Sequence, residues 1–328
     1  MNKKLHIGFT YDVKEDYNLS SNNWKHCDFS TLAEVNYVRN LLEERGHIVH
    51  LIGNYEKLYN MLLNNKLPEV DIILNTAEGI KSRNREGWIP SLLEINNIPY
   101  SGSDAYALGV TLNKLHTKAI AQILNIPTPP YCRVNSLDDL KYATKTLKSP
   151  WILKPNYEGS SSGVLLASTE KELIDNATFL FKEYKQTLLC ETYIEGKEYN
   201  VSLLYDGNAT KVIGTVEVVR KDESPIKIFN VQDKFTDSCK KIPAILPKEL
   251  IKKMEEDTKK LHEYIGCYDY NRADYRVDND GNYYLLELNP LPSIGVDSAF
   301  TKCCEYNKPK LGKALEEILY NALRRHNS

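Results

Sequence analysis

The first 75 residues alternate between strand-like and helix-like patterns of hydrophobic residues. In residues 5–12 an apolar side chain recurs at every second position, whereas after Thr31 the apolar residues recur at the spacing of one helix face. Thr31 and Glu34 form a capping-box pattern at the start of that helix, and Gly46 ends it. The predicted elements are a strand at 5–12, a helix at 31–46, a strand at 47–53, a helix near 55–65 and a strand at 70–75.

This β-α-β-α-β order predicts a parallel sheet covered by helices, because parallel strands need crossover connections between them. Ligands of such sheets approach the carboxyl ends of the strands. No G-x-G-x-x-G sequence follows the first strand, so the fingerprint of a dinucleotide site is missing. The residues expected within reach of a small molecule are Tyr11, Asp12, Asn75, Ala77, Glu78, Arg83, Arg85 and Glu86.

A proline-rich break at 125–131 predicts a junction between domains. Further along, a polar connection spans 220–241, and a connection of that length in a compact domain is often a lid. The elements predicted beyond the break are strand–loop–strand segments at 151–166 and 187–205 and amphipathic helices at 248–265 and about 309–324.

The stretch from Arg272 to Asn289 is predicted to be a β-hairpin whose two faces differ in chemistry, with a turn centred on Asn279-Asp280. The apolar face would belong to a core, and it pairs Val277 with Asn282, Tyr275 with Tyr284 and Ala273 with Leu286, followed by Leu288. The opposite face collects Arg272, Asp274, Arg276, Leu285, Glu287 and Asn289.

Two acids, Asp274 and Glu287, would lie across the strands from each other on this second face. Neighbouring like charges destabilise a sheet unless arginines or a hard cation offset them. Because Mg²⁺ borrows ligands from substrate phosphates, carboxylates beside arginine indicate a nucleotide phosphate site. The alternative is a solvated hairpin face with surface ion pairs.

Two further segments carry polar residues next to strands. Lys154 ends a strand before the glycine-serine loop 158–163, whose backbone N–H groups and hydroxyls can surround phosphate oxygens, although it is not a Walker loop. Glu191 and Glu198 flank a turn, where carboxylates can accept hydrogen bonds from an adenine amino group or ribose hydroxyls. A flexible turn and ordinary exposed glutamates are the alternatives.

Composition narrows the class of protein. The 328 residues are 42% hydrophobic and 26% charged, with a net charge of −2 and dispersed lysines and arginines, so a nucleic-acid partner is not expected. No apolar run suits a signal peptide or a membrane span, which predicts a cytoplasmic protein. Seven cysteines without C-x-x-C spacing predict reduced thiols, and the scattered histidines disfavour a zinc site.

Taken in order, the motifs resemble the ATP-grasp ligases, and specifically the D-alanine–D-alanine ligase group. The resemblance covers most of residues 70–300, and five pieces in one order are far more specific than any single piece. The matching pieces are IPYSGS with Asn113-Lys114, ILKPNYEGSSSGV, LLCETYIEGKEYNV, the lid piece Val231-Gln232-Asp233-Lys234-Phe235, and RADYRVDNDGNYYLLELNPLPSIG.

The resemblance implies how ATP is bound. Lys114 and Lys154 would contact its phosphates, and Lys234 would reach the γ-phosphate from the lid. Glu191 would bind the adenine end and Glu198 the ribose. The loop residues that would cover the phosphates and the donor amino acid are Glu158, Ser160, Ser161 and Ser162, with Ser161 also counted among the catalytic residues.

The resemblance also implies the metal ligands and the reaction. Asp274, Glu287 and Asn289 would bind two Mg²⁺ ions, which Mn²⁺ could replace, and Arg272 would stabilise the transferring phosphoryl group. ATP would phosphorylate a carboxylate, and an amine would attack the acyl phosphate to give an amide, ADP and phosphate. The charged residues noted above suit this reaction, because phosphoryl transfer needs mainly positioning and charge neutralisation.

The implied fold is α/β, and α+β in the ATP-grasp part. An N-terminal Rossmann-like (pre-ATP-grasp) substrate domain would occupy residues 1–110, followed by a central ATP-grasp lobe at 111–195 and a C-terminal lobe at 196–328. The partners would be small amino-acid substrates, and the family suggests a homodimer.

The chain departs from the family at both amino-acid subsites. GFTYDVKED stands where the family has a glycine pair and an amine-binding glutamate, NTAEG replaces a histidine-glycine segment, and NPLPSIGVDS replaces the second-substrate loop. The substrates therefore stay open, D-alanine included. The candidates for the donor amine are Asp12, Glu15 and Glu78, and those for the acceptor carboxylate are Ser293, Gly295 and Ser298.

Three functions follow from these residues. The first is an ATP-dependent carboxylate–amine ligase that forms a dipeptide or a related amide. The second is a genuine D-alanine–D-alanine ligase of cell-wall synthesis. The third is a regulatory ATP-binding module without turnover, which the complete set of phosphoryl-transfer residues disfavours.

Overall fold

The computed structural model describes residues 3–20, 26, 28–222 and 239–327. In these ranges the strands form a parallel sheet of three strands, an antiparallel sheet of four and an antiparallel sheet of five, ordered β2-β1-β3, β4-β7-β5-β6 and β10-β9-β8-β11-β12. The strands are β1 (His6–Thr10), β2 (Ile48–Gly53), β3 (Ile72–Asn75), β4 (Tyr131–Val134), β5 (Trp151–Pro155), β6 (Leu165–Ala167), β7 (Leu188–Thr192), β8 (Gly196–Tyr205), β9 (Thr210–Arg220), β10 (Cys239–Pro243), β11 (Tyr270–Asp278) and β12 (Tyr283–Asn289).

The α-helices of the described residues cover the sheets and connect them. None of these helices is both long and apolar enough to cross a membrane. They are α1 (Leu32–Glu43), α2 (Tyr55–Leu63), α3 (Trp88–Ile95), α4 (Ala105–Leu112), α5 (Lys114–Ile123), α6 (Leu140–Thr146), α7 (Glu170–Tyr184), α8 (Lys248–Ile265), α9 (Ala299–Tyr306) and α10 (Leu311–His326).

The N-terminal sheet confirms the predicted β-α-β-α-β order. Strand β1 lies between β2 and β3 and pairs with both in parallel. Helix α1 begins with the predicted capping box, in which the backbone N–H of Thr31 donates to the Glu34 carboxylate at 2.8 Å and the N–H of Glu34 donates to the Thr31 hydroxyl at 3.2 Å. The first strand ends at Thr10, two residues before the predicted end, because a 3₁₀ turn starts at Lys14.

Side chains of the four-stranded sheet alternate between two faces, one against a core and the other against a cavity. Leu153 and Cys190 are fully buried in a core with α6 and α7. Their neighbours Ile152, Lys154 and Glu191 point to the opposite face and line the cavity described below. A period of two therefore gives this sheet one face for packing and one for ligand.

The hairpin β11–β12 confirms the predicted polar face but corrects its register. Ala273 pairs with Leu288 rather than Leu286, and Tyr275 pairs with Leu285. The turn is one residue longer than predicted, so Val277 pairs with Tyr283 and the shift is present before the bulge between Asp274 and Tyr275, where Leu286 is the extra residue. Leu285 is consequently buried in the core and Leu286 lines the cavity, the reverse of the prediction.

The C-terminal helix α10 completes the core of the N-terminal sheet. Leu315 and Ile318 of α10 belong to the same fully buried cluster as Ile7 and Phe9 of β1. Tyr270 of β11 and Phe300 of α9 lie in this cluster too, with their rings 5.3 Å apart. The first and third sheets thus share one core, while the domain limits at 110 and 195 stay a prediction.

Asp269 joins the C-terminal helix to the loop that follows α3. Its carboxylate is 4% exposed and accepts hydrogen bonds from the Gly102 N–H at 2.7 Å and from Arg325 at 3.0 Å. Burial raises the pKa of Asp269 to about 6, with Arg325 opposing that rise. This ion pair is therefore a point where two distant parts of the chain are fastened.

We expect Asp269→Asn to lower the free energy of unfolding by about 2 kcal/mol, because the change removes a charge-assisted contact but keeps the side-chain shape. The midpoint of urea denaturation measures the effect. The matched control is Asp138→Asn, whose ion pair with Lys141 is almost fully exposed and should change stability by less than about 0.5 kcal/mol. Equal effects of the two substitutions would contradict a stabilising role for the buried pair.

Candidate active site

A cavity of about 730 Å³ lies between the four-stranded and five-stranded sheets, with residues of the N-terminal part at one end. This volume falls in the range that holds a small ligand. Three groups of its lining residues carry charge: the polar face of the hairpin, the inner face of the four-stranded sheet with its glycine-serine loop, and acidic residues from the first 78 positions.

The polar face of the hairpin is held by paired charges. Arg272 donates to both oxygens of Asp274, at 2.7 and 2.8 Å, and the Asn200 amide donates to Asp274 at 2.7 Å. Glu287 lies 3.0 Å from the Lys114 ammonium. Asn289 pairs with Arg272 across the strands and also lines the cavity. The arrangement brings together the predicted metal ligands and the predicted catalytic arginine.

The two acids of this face differ in their proton affinity. Burial raises the pKa of Asp274, which Arg272 opposes and the neighbouring Glu287 supports. Burial also acts to raise the pKa of Glu287, but Lys114, Lys154 and Arg272 together lower it to about 2. Glu287 is therefore a carboxylate at neutral pH, in the state that binds a cation.

The donor set fits Mg²⁺. Asp274, Glu287 and Asn289 supply hard oxygen ligands on one strand pair, and Mg²⁺ takes its remaining ligands from water and substrate phosphates. In the described ranges, this site included, no three His, Cys, Asp or Glu side chains are grouped closely enough to hold a metal alone. Such a sparse set suits a metal that arrives with a phosphate ligand.

Buried lysines surround Glu191 on the inner face of the four-stranded sheet. The Lys154 ammonium is 2.6 Å from one oxygen of Glu191, and the Lys118 ammonium is 2.8 Å from the other. Burial acts to raise the pKa of Glu191, yet the two lysines lower it overall. Sequence reasoning missed Lys118, although its spacing of four residues from Lys114 places both on one face of α5.

Glu198 lies next to the hairpin face. It pairs with Arg276 across β8 and β11, and both residues line the cavity. Burial, followed by the nearby charge of Asp274, raises the pKa of Glu198 to about 7. The Arg276 guanidinium also lies 5.2 Å from the centre of the Tyr193 ring, so a charged and an aromatic group border this end of the cavity.

The glycine-serine loop is held in an unusual backbone conformation. Ser160 and Ser161 have φ angles of 53° and 59°, in the left-handed region. A side chain at Gly163 would overlap the Pro155 ring. The Lys114 ammonium donates to the carbonyl of Glu158 at 2.6 Å, and the three serines of the loop line the cavity. The loop thereby lies against the cavity, with Lys114 bonded to its first residue.

Carboxylates surround one buried arginine at the amino-terminal end of the cavity. Arg85 is 6% exposed, and its guanidinium lies 3.2 Å from Asp28, 3.2 Å from Glu86 and 3.9 Å from Glu78. Asp28, Glu78 and the predicted Glu15 line the cavity. Asp28 was missed by sequence reasoning, because nothing local connects it with an arginine 57 residues away.

Asp12 does not line the cavity, although it was expected to lie within reach of a ligand. Its carboxylate is 1% exposed and accepts hydrogen bonds from the Tyr17 hydroxyl at 2.5 Å and the Gly79 N–H at 2.7 Å. Both contacts are internal, so this acid fastens two loops together. The strand-end residues that likewise stay outside the lining are Tyr11, Asn75, Ala77, Arg83, Arg85 and Glu86.

The candidates for the acceptor lie in the loop after the hairpin. Ser293 and Ser298 line the cavity, and Ser298 also caps α9 by accepting the Thr301 N–H at 3.1 Å. Gly295 does not line the cavity, and a side chain there would overlap the Glu34 carboxylate. Lys234 of the predicted lid lies outside the described residues.

The sequence and the fold match known ligases. Residues 120–319 match the family model described as D-ala D-ala ligase C-terminus. The chain is 31% identical over 257 residues to D-alanine--D-alanine ligase of Aquifex aeolicus (strain VF5). The aligned region covers 78% of this chain and 83% of the relative. Its fold is similar to that of D-alanine--D-alanine ligase from Bacillus anthracis complexed with ATP, with a TM-score of 0.76, 23% identity and coverage of 98% and 99%.

A second ligase structure has a similar fold. VanG D-Ala:D-Ser ligase from Enterococcus faecalis gives a TM-score of 0.75 at 15% identity, covering 98% of this chain and 100% of that one. The chain is thus an ATP-dependent ligase of the ATP-grasp class. More narrowly, it belongs to the D-alanine–D-alanine ligase family. The residue roles expected from the sequence stay predictions at this point.

Proposed function

We propose that this protein joins the carboxylate of an amino acid to the amine of a second substrate through an acyl phosphate, with release of ADP and phosphate. The observation that carries the proposal is the convergence of Arg272, Asp274, Glu287 and Lys154 on one cavity. A set of this kind neutralises the charge of a transferring phosphoryl group, which is the main demand of that reaction.

Each polar group has a place in the proposed reaction. Lys114, Lys154 and the glycine-serine loop bind and orient the phosphates of ATP, and the loop excludes water from the acyl phosphate. Asp274, Glu287 and Asn289 hold magnesium, which supplies positive charge to the phosphate oxygens when bound. In this proposal Glu191 binds the adenine and Glu198 binds the ribose. Lys234 contacts the γ-phosphate.

Arg272 and Ser161 serve the reacting centre in this proposal. The Arg272 guanidinium already forms a two-point contact with Asp274. Its charge is placed on the polar face, where it stabilises the transferring phosphoryl group. The Ser161 hydroxyl contacts the donor from the loop above. Both assignments depend on ATP phosphates lying along the hairpin face.

The substrate ends of the cavity are assigned by charge. Glu15, Glu78 and Asp28 form an acidic end that suits the ammonium group of the donor. Ser293 and Ser298 offer hydroxyls to the carboxylate of the acceptor, while Gly295 leaves room for Glu34. D-Alanine carries the ammonium and carboxylate groups that these two ends would bind. A D-alanine–D-alanine ligase is therefore the second candidate, supported by the name of the Aquifex relative.

A screen of amino-acid pairs for ATP-dependent phosphate release tests the proposal. We expect ADP and phosphate only when a donor amino acid is present, and a new amide in the mass spectrum. Formation of AMP and pyrophosphate, or hydrolysis that does not depend on a donor, would contradict it. Incubation with ATP and D-alanine alone tests the second candidate, and the lack of a dipeptide there removes it.

We expect Glu78→Gln to raise the KM of the donor amino acid by roughly tenfold or more. Burial raises the pKa of Glu78 well above its usual range, and a bound ammonium group would favour the ionised carboxylate that the amide cannot supply. Initial rates at saturating ATP measure the effect. The control is Glu56→Gln, an exposed acid of α2 away from the cavity, which should leave the KM unchanged. An unaltered donor KM in Glu78→Gln would remove Glu78 from the donor subsite.

A further inference from the structure

Lys118 is a fully buried lysine that contacts the nucleotide cavity only through another residue. It is 0% exposed and does not line the cavity, whereas Lys154 does. Its ammonium contacts the Glu191 carboxylate at 2.8 Å and donates to the Thr128 hydroxyl at 2.6 Å. A charged group in such a place is costly unless it has a specific partner.

Glu191 is held by two cations of different character. Lys154 reaches it from β5, but it also faces the cavity where the proposed function requires an ammonium group for ATP phosphates. Lys118 reaches it from α5 and is fixed from behind, because Thr128 in turn donates to the carbonyl of Leu285 at 2.8 Å. Lys154 therefore faces both Glu191 and the cavity, whereas Lys118 is bonded to buried groups alone.

We propose that Lys118 is the permanent counter-ion of Glu191, a positioning residue that allows Lys154 to turn from Glu191 to the phosphates of ATP. This inference depends on the proposed function, since it assumes that Lys154 binds nucleotide. Without Lys118, the buried carboxylate would have Lys154 as its remaining lysine partner. ATP would then have to break that ion pair, and a lone buried charge would remain.

The charge state of Lys118 at neutral pH supports the inference. Burial lowers its pKa to about 8, with Glu191 opposing and Lys154 supporting the decrease. Lys118 is consequently protonated at pH 7. The Tyr131 ring, 5.5 Å from its ammonium, borders it on the remaining side.

A double-mutant cycle with Glu191 tests the inference. The probe is AMP-PNP with excess Mg²⁺, and its affinity is measured by calorimetry for Lys118→Met, Glu191→Gln and the double variant. We expect Lys118→Met to weaken binding about tenfold or more in the original protein, but to change it by less than about threefold when added to Glu191→Gln, because no carboxylate is then left to hold Lys154. In turnover assays the KM for ATP should rise while kcat at saturating ATP changes less than about threefold.

Controls separate this role from a loss of structure. Lys260→Met removes another lysine, one whose ammonium donates to the Leu124 carbonyl outside the cavity, and it should not change the affinity for AMP-PNP. If Lys118→Met does not fold, Thr128→Val takes its place, because it removes only the anchor of the ammonium. Its expected loss is a few-fold, and that loss should again be absent in the Glu191→Gln background.

The outcomes are distinguishable. Equal affinity in Lys118→Met and the original protein would overturn the inference, and so would an equal loss from Lys118→Met in the original protein and in the Glu191→Gln background. Failure of the original protein to bind AMP-PNP with Mg²⁺ would instead overturn the proposed function, because nucleotide binding itself would then be missing.

Discussion

Glu287→Gln is expected to lower the rate of ligation by about 10³-fold or more, while the affinity for ATP falls less than tenfold. The substitution keeps the size of the side chain and removes its charge. Glu287 is the carboxylate whose pKa three cations hold at about 2, so it is fully ionised at neutral pH. Without that charge, Glu287 would bind magnesium more weakly. The effect should be largest in the transition state, where negative charge moves between phosphate oxygens.

The measurement is kcat for phosphate release beside the Kd for AMP-PNP. A matched control is Glu217→Gln, because Glu217 is also a buried glutamate of the five-stranded sheet but lies outside the cavity lining. It should keep activity within about threefold. A Glu287→Gln variant with normal kcat would exclude Glu287 from the metal site. If the affinity for AMP-PNP falls as much as kcat does, Glu287 would be assigned to nucleotide binding alone.

Arg272→Lys is expected to reduce kcat by about 10²-fold, and Arg272→Met by about 10³-fold, with little change in the KM for ATP. The planar guanidinium contacts both oxygens of Asp274, a geometry that a lysine ammonium cannot reproduce. The lysine variant keeps the charge near the phosphates, which explains its smaller loss. Initial rates over a range of ATP concentrations separate the two parameters.

The control for this pair is Arg133→Lys, an exposed position on β4. It should behave like the original protein. A Lys variant as active as the original would show that charge alone suffices at position 272. If instead both variants lose ATP affinity rather than kcat, Arg272 belongs to the binding of the nucleotide and not to the transfer step.

The hairpin was predictable from the sequence in its chemistry but not in its register. Alternation alone assigns Asp274 and Glu287 to one face, and the structure agrees. The length of the turn and the bulge leave no mark in the pattern of polar and apolar residues, so the faces of Leu285 and Leu286 were exchanged. The wrong assignment of two leucines did not disturb the site, because beyond the bulge Asp274 and Glu287 lie on one face and pair directly across the strands.

Other features depend on contacts between distant parts of the chain. Asp28 and Arg85 meet only once the N-terminal part has folded, and Lys118 appears in sequence as an ordinary helix lysine. Asp12 illustrates the opposite error, since a carboxylate at a strand end was expected to face ligand and is instead satisfied by Tyr17 and Gly79. Sequence patterns reveal local faces, whereas the partners of buried charges are set by tertiary contacts.

The shared core of the N-terminal sheet has a consequence for the order of events during synthesis. Ile7 and Phe9 leave the ribosome early, yet Leu315 and Ile318, which cover them, are translated some 300 residues later. The early strands must wait with apolar surface uncovered, a condition that favours aggregation or chaperone contact. A fragment that stops before residue 311 should therefore expose this surface, and dye binding to the fragment would reveal it.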